Sequence, residues 1–469
     1  MLITSLPDDV LHTILSMHID AQSLLSFALL SRRMCRIIIP TYLYARIRIK
    51  DPRDLVASSR LEAFLRCIST ADAPARTASI RTIEITAEYD PSWGVIRIGD
   101  AFEKMHNLRR VCICPFNRLV FVEPRMPHLL MSLGHLHHLC LKFEGKLWHC
   151  LDLLQDLVSL QYLEIGRASP RCGYIPLNAP RGPALENMLI NSRETLREIH
   201  VFVYIALDFD LLTWSYSADS GAFVWPHLHT LSVAVRPSSP DLDLARAFPS
   251  LQQLGPIIPL EWVEQGRISP LVAHLEFLRA TWDTAIGMLA VGAKLRRLRV
   301  LDDPLPMGFS DDLKKHSAPC LRSLHICYIS SLTRGSLAPF AEFAPHLTFI
   351  HIEFFWERSE DDFLETLTTL VMGLPLKYIW LTVTHRGDLG ISSGHDVPWM
   401  PVMSWERIVS LVDSLIPSLQ GVRIDLLDDS YCRHWRKVVG EQGGPAHRFI
   451  EQLEADGLLD KKHYEMNFE

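Results

Sequence analysis

Leu136-His137-His138-Leu139-Cys140-Leu141 is followed by Leu160-Gln161-Tyr162-Leu163-Glu164-Ile165 and then by Leu196-Arg197-Glu198-Ile199-His200-Val201. Each stretch reads apolar-x-x-apolar-x-apolar. The last two apolar positions alternate, so they share one face of a short strand, and the residue between them points to the other face. One such hexad cannot bury its apolar face by itself. Strands that stack in parallel, one per repeat, share a continuous core.

The pattern extends in both directions. Upstream are Ile80-Arg81-Thr82-Ile83-Glu84-Ile85 and Leu108-Arg109-Arg110-Val111-Cys112-Ile113. Downstream come Leu228-His229-Thr230-Leu231-Ser232-Val233, a truncated Leu251-Gln252-Gln253-Leu254, and copies starting at Val272, Leu295, Leu321, Leu347, Leu376 and Leu419. From Ile80 to Leu376 the mean spacing is about 27 residues, inside the range of strand-and-helix repeats. Segments between hexads, such as Leu151 to Leu157 and Phe363 to Val371, have helical spacing. Pro249, Pro319, Pro345 and Pro417 stand just before strand motifs, where they end a preceding helix. An ordinary α/β sheet with coincident leucines is the alternative, and thirteen occurrences argue against it. The expected fold is α/β: an irregular solenoid over residues 79–427, with parallel strands inside and helices outside. Gly387, Gly390, Gly394, Pro398 and Pro401 mark a loop insertion at 385–404. Residues 428–469 read as a helical cap, with Phe449, Ile450 and Leu453 on one face.

Ahead of the repeats lies a different kind of segment. In Leu6-Pro7-Asp8-Asp9-Val10-Leu11, Pro7 suits a first helical position and two acids sit in the first turn. Val10, Leu11, Ile14, Leu15 and Met17 follow at helical spacing. Asp20 is a plausible N-cap for a second helix carrying Leu24, Leu25, Ala28 and Leu29, and Ser31 opens a third that runs to Pro40. A unit of about 45 residues cannot bury so many apolar side chains alone, so the surplus points to a partner. Residues 51–78 form a charged, partly helical linker around Leu61, Phe64, Leu65 and Ile68.

The Leu6-Pro7 start and the run Leu24-Leu25-Ser26-Phe27-Ala28-Leu29-Leu30-Ser31-Arg32-Arg33 resemble the F-box. Met34 stands where that family often has Trp or Phe. The tail from Ile39 to Ile49 resembles the way many fungal F-box proteins leave the motif. The repeats in turn resemble the leucine-rich repeats that follow many F-boxes. Their usual closing Asn is missing, and its places hold Glu88, Phe116, Glu144 and Ala168. The resemblance implies a substrate-recognition subunit of a Skp–cullin–F-box ubiquitin ligase. Residues 1–50 would bind a Skp-type adaptor, and through it a cullin scaffold, by Leu6, Pro7, Val10, Leu11, Ile14, Leu25 and Leu29.

Composition limits the other classes. With 48% hydrophobic and 22% charged residues the chain is a folding one. A net charge of −7 gives no bulk attraction to nucleic acid or anionic membranes. Eight Arg/Lys against Asp51 and Asp54 at residues 31–60 are the local exception. The ten cysteines form no C-x-x-C pair, and there is no Asn-x-Ser/Thr acceptor. No secretory leader and no 18-residue apolar run is expected, which places the chain in cytosol or nucleus with reduced thiols.

Candidate chemistry is thin, and the chain is expected to be no enzyme and to need no cofactor or metal. Gly390-Ile391-Ser392-Ser393-Gly394 matches a hydrolase elbow, with His395-Asp396 following, but its flanks suit a loop rather than a strand and a helix. His135, His137, His138, Cys140, His149 and Cys150 are dense in metal-ligand types. His137 and His138 are successive strand residues and must diverge, so four ligands do not converge. What remains is the expected concave face. Its C-terminal half becomes aromatic and basic through Arg297, Arg299, His325, Phe349, His351, Tyr378 and Trp380, a composition favoured at binding hot spots. These residues and the 385–404 loop are the expected site for a protein substrate. A repeat scaffold without ligase role, and a hydrolase using residues 390–396, are the alternatives.

Overall fold

The computed structural model describes residues 6–16, 21–51, 64–68, 73–87, 98–144, 149–167, 183–201, 224–233, 244–256, 263–264, 266, 269–301, 312, 315–329, 340–356, 364, 367–368, 371–385, 410–411, 413–426, 431–439 and 445–450. Met17, Asp20 and the stretch 386–404, with the Gly390 to Asp396 motif, lie outside them. The chain forms two compact units. One is Met1–Leu242 with Arg246–Ser250; the other is Asp243–Ala245 with Leu251–Glu469.

The first unit opens with helices α1 (Asp8–Ser16), α2 (Ala21–Leu29) and α3 (Arg32–Ile38). Pro7 lends its carbonyl to the Leu11 N–H at 3.0 Å, closing the first turn. Ser31 caps α3 by accepting from the Met34 N–H at 3.1 Å. Helical backbone does not stop at Pro40. A π-helical turn, Ile39–Leu43, carries the chain past it. Leu11, Leu15, Leu24, Ala28, Met34 and Ile38 form the core of this module, with Leu6, Phe27, Ile37, Tyr42 and Leu43 packed against it.

Seven parallel strands follow in order: β1 (Arg46–Asp51), β2 (Thr82–Ala87), β3 (Arg110–Cys114), β4 (His138–Phe143), β5 (Tyr162–Arg167), β6 (Glu198–Val201) and β7 (Thr230–Val233). β1 is a further repeat strand ahead of the first apolar hexad. It pairs with β2 through Ile47↔Ile83 and Ile49↔Ile85, so Tyr44-Ala45-Arg46-Ile47-Arg48-Ile49 is a repeat whose first position is Tyr. The linker is helical at residues 64–68 and at Ala73–Ser79.

The second unit has seven more parallel strands: β8 (Gln253–Pro256), β9 (Phe277–Ala280), β10 (Arg297–Val300), β11 (Ser323–Ile329), β12 (Phe349–Trp356), β13 (Tyr378–His385) and β14 (Gly421–Leu426). The copy expected at Val272 is shifted by three residues. Leu278 pairs with Leu298 and Ala280 with Val300, so the hexad is Leu275 to Ala280, and Val272 is a buried residue of the helical turn before it.

The register repeats because one backbone arrangement repeats. The carbonyl of the second hexad residue accepts two successive N–H groups of the next repeat: Arg81 from Arg109 and Arg110, Arg109 from His137 and His138, Arg322 from Thr348 and Phe349. Alternate strand residues, such as Leu298, Val300, Leu324, Ile326, Ile350 and Ile352, are buried beneath connecting segments such as the Trp282–Ala290 helix.

Of the expected helical cap over 428–469, the two described stretches are strands instead, and residues 451–469 lie outside the described residues. Residues Tyr431–Val439 and Pro445–Ile450 are strands β15 and β16, each antiparallel to its predecessor. Gly440, Gly443, Gly444 and Pro445 oppose a helix across that span, and β-branched and aromatic residues around Trp435 and Val438 favour a strand. Among the described residues no helix is long and apolar enough to cross a membrane.

Candidate functional sites

The seven N-terminal residues expected to dock a partner fall into two groups. Leu11 is fully buried and Leu6 packs on the core, so these two hold the module together. Leu11 is therefore corrected from docking residue to core residue. Val10 is 38% exposed, Leu25 46% and Leu29 79%; Pro7 is exposed and Ile14 half-buried. Leu30, which the sequence reading passed over, is 54% exposed. Leu25 and Leu29 are four apart on α2 and so share a face, as do Val10 and Ile14 on α1. Burying a leucine fully is worth about 1.5–3 kcal/mol, so a partner covering this set gains several kcal/mol. Met34 is fully buried. The departure from the family's aromatic residue thus falls in the core, not on the surface.

The polar residues of the motif act as braces. Arg33 donates to the Leu6 carbonyl at 2.8 Å and pairs with Asp8, tying α3 to the chain entry. Tyr42 donates to the His12 carbonyl at 3.1 Å, with its hydroxyl 2.7 Å from His12 Nδ1.

On the outward face of the second unit, the residues expected to bind substrate form two rows. Arg297, Ser323, Phe349 and Tyr378 are aligned across β10–β13, and beside them run Arg299, His325, His351, Trp380 and Arg423. The second row is a stack. His325 and His351 lie 3.8 Å apart at 22°, His351 and Trp380 4.0 Å apart at 7°, and the Arg423 guanidinium sits 4.1 Å over the indole. A row of acceptors pins it. Glu353 Oε1 is 2.6 Å from His325, Thr382 Oγ1 2.9 Å from His351, and Asp425 accepts from Trp380 Nε1 at 2.8 Å and Arg423 Nε at 2.9 Å. Tyr378 donates to Gln420 at 2.7 Å, and Arg297 lies over the Phe277 ring at 5.4 Å. Phe349 and His351 are buried and offer little surface; Arg297, Arg299, His325, Tyr378 and Trp380 are half-buried.

The first unit carries a different row: Glu84, Cys112, Cys140, Glu164, His200 and Ser232, in direct register. Cys112 and Cys140 sulfurs are 3.2 Å apart. Their shared hydrogen bond pulls the Cys112 thiol below its ordinary pKa and pushes Cys140 up. Cys114, two residues further along the same strand, is buried, and burial raises its thiol to about 11. His138 stacks on Tyr162 at 3.8 Å and 7°. Burial, with Glu164 beside it, raises the Tyr162 hydroxyl well above its usual pKa. Among the described residues, the missing Asn has a substitute. Asn117, one residue beyond the expected place, bonds both the Glu144 N–H and carbonyl at 3.0 Å.

Residues 3–50 match the F-box-like family model, so the helical module α1–α3 with its π turn is an F-box-like domain. That match ends at Lys50, within β1. No curated protein matches the chain.

Proposed function

We propose that the protein is the substrate-recognition subunit of a Skp–cullin–F-box ubiquitin ligase. The observation that carries this reading is the F-box-like domain whose core is complete without Val10, Leu25, Leu29 and Leu30, leaving them at the surface. Those side chains dock a Skp-type adaptor, which links the chain to a cullin scaffold. The strand repeats are degenerate leucine-rich repeats, and their outward face holds a protein substrate. Arg297, Arg299, His325, Tyr378 and Trp380 lie on that surface. In this reading the chain supplies position, not catalysis: ubiquitin transfer is done by the enzymes the cullin recruits.

The test is to express the full chain with a Skp-type adaptor and a cullin. Recovery of a 1:1 complex with adaptor that also retains cullin supports the role. A chain that is folded yet recovers neither is a repeat scaffold outside the ligase.

A further inference from the structure

Three side chains with metal-ligand chemistry meet on the second unit. His325 on β11 and His351 on β12 are direct partners across the parallel ladder. Glu353 follows His351 by two residues and returns to the same face. One ligand atom from each of the three lies within 4.8 Å of the others. The site is sheltered: His351 is 7% exposed, and the His325 and Glu353 side chains 13% each. In sequence the two histidines are 26 residues apart, so only strand pairing reveals the group.

From this convergence we propose that His325, His351 and Glu353 bind a divalent transition-metal ion, with zinc the best fit. Two imidazoles and one carboxylate match the donor preference of such ions, whereas calcium and magnesium favour all-oxygen sets. His325 Nε2 and Glu353 Oε1 share a proton across 2.6 Å, and a bound ion takes the place of that proton. The Trp380 indole, stacked on His351, holds that ring in plane, which restricts the rearrangement needed for ligation. Small rotations of His325 and Glu353 bring the donors to bonding distance, and His351 exchanges its Thr382 contact for the ion. Three protein ligands leave a coordination position for water or for a donor from a bound partner. Arg299 Nη2, 3.6 Å from Glu353 Oε1, opposes the ion's charge. The site is therefore weaker than a closed four-ligand zinc centre. The inference stands apart from adaptor docking and survives its failure.

The experiment is titration of the purified, chelator-stripped full chain with Zn²⁺ by calorimetry and with Co²⁺ by visible absorption. One ion per chain is expected, with a cobalt spectrum of nitrogen and oxygen ligation. His325→Asn and Glu353→Gln should each weaken binding by about tenfold or more, while His200→Asn in the first unit changes nothing. Both variants sit at partly exposed positions, and thermal melts of the metal-free proteins establish that they fold. A folded chain that binds no stoichiometric ion, or folded variants that bind as the parent does, would overturn the proposal.

Discussion

The His351 imidazole lies flat on the Trp380 indole, centroids 4.0 Å apart and planes 7° from parallel. Arg423 covers the opposite face of the same indole at 4.1 Å. Where regular repeats close each turn with an Asn, the second unit aligns flat side chains along its face. Trp380→Ala removes both contacts and orphans the Asp425 carboxylate from one donor. The expected loss is about 2–3 kcal/mol in the second unit, combining stacking, cation–π and packing contributions. Trp380→Phe keeps the stack and loses only the indole hydrogen bond, at about 1 kcal/mol. Urea denaturation of the variants measures both, and an equal loss from the two would refute this division.

In the F-box-like domain, Leu11→Ala and Met34→Ala each empty a fully buried position. Each is expected to cost about 2–5 kcal/mol, a large fraction of what so small a module can hold. Limited proteolysis should then cut first within residues 6–43, leaving the strand repeats protected.

Arg125 gathers three carboxylates: Asp100 and Glu103 at 3.0 Å, and Glu123 at 2.9 Å. The hydrogen bond from Arg125 holds the mostly buried Glu123 carboxyl below its ordinary pKa of 4.5. A depressed pKa means that the contribution is complete above the ordinary value and disappears as pH falls through the folded one. The parent should be more stable than Glu123→Gln at pH 7. That difference should vanish in acid, below the usual carboxylate range. Thermal melts across pH read it directly, and a gap that persists in acid would point to packing instead.

Of the paired thiols, Cys112 is the half-buried one and carries the lowered pKa, because of its side-chain hydrogen bond with Cys140. Alkylation near neutral pH should modify Cys112 before Cys140 and Cys114. Cys140→Ala removes the hydrogen-bond partner, raises the Cys112 pKa and slows the reaction. Peptide mapping after timed exposure to iodoacetamide gives the order, and an unchanged rate in Cys140→Ala would contradict the shared hydrogen bond.

The α/β character, the strand positions and the F-box-like start were legible because each rests on local periodicity. The hexad at Leu321 maps directly onto β11. The misplacement at Val272 came from a helical turn whose Val272 and Leu275 mimic the first two apolar positions. β1 escaped because Tyr44 opens its hexad. At Phe449 and Ile450 the apolar pattern suits a helix or a strand equally, and pairing of β16 with β15 decides. Burial was the least legible property. Leu11 and Leu25 look alike in sequence, and only packing separates core from surface. The convergence of His325, His351 and Glu353 depends on register between strands, which no local pattern contains.

The central claim is that exposed α2 leucines on an F-box-like domain dock a Skp-type adaptor. The direct measurement is calorimetric titration of the adaptor into the full chain and into its Leu25→Asp/Leu29→Asp variant, with circular dichroism establishing that both fold. One-to-one binding by the parent is expected, with a loss of about a hundredfold or more in the variant, as two charges are forced against an apolar surface. Equal affinity in both, or no binding by the folded parent, would contradict it.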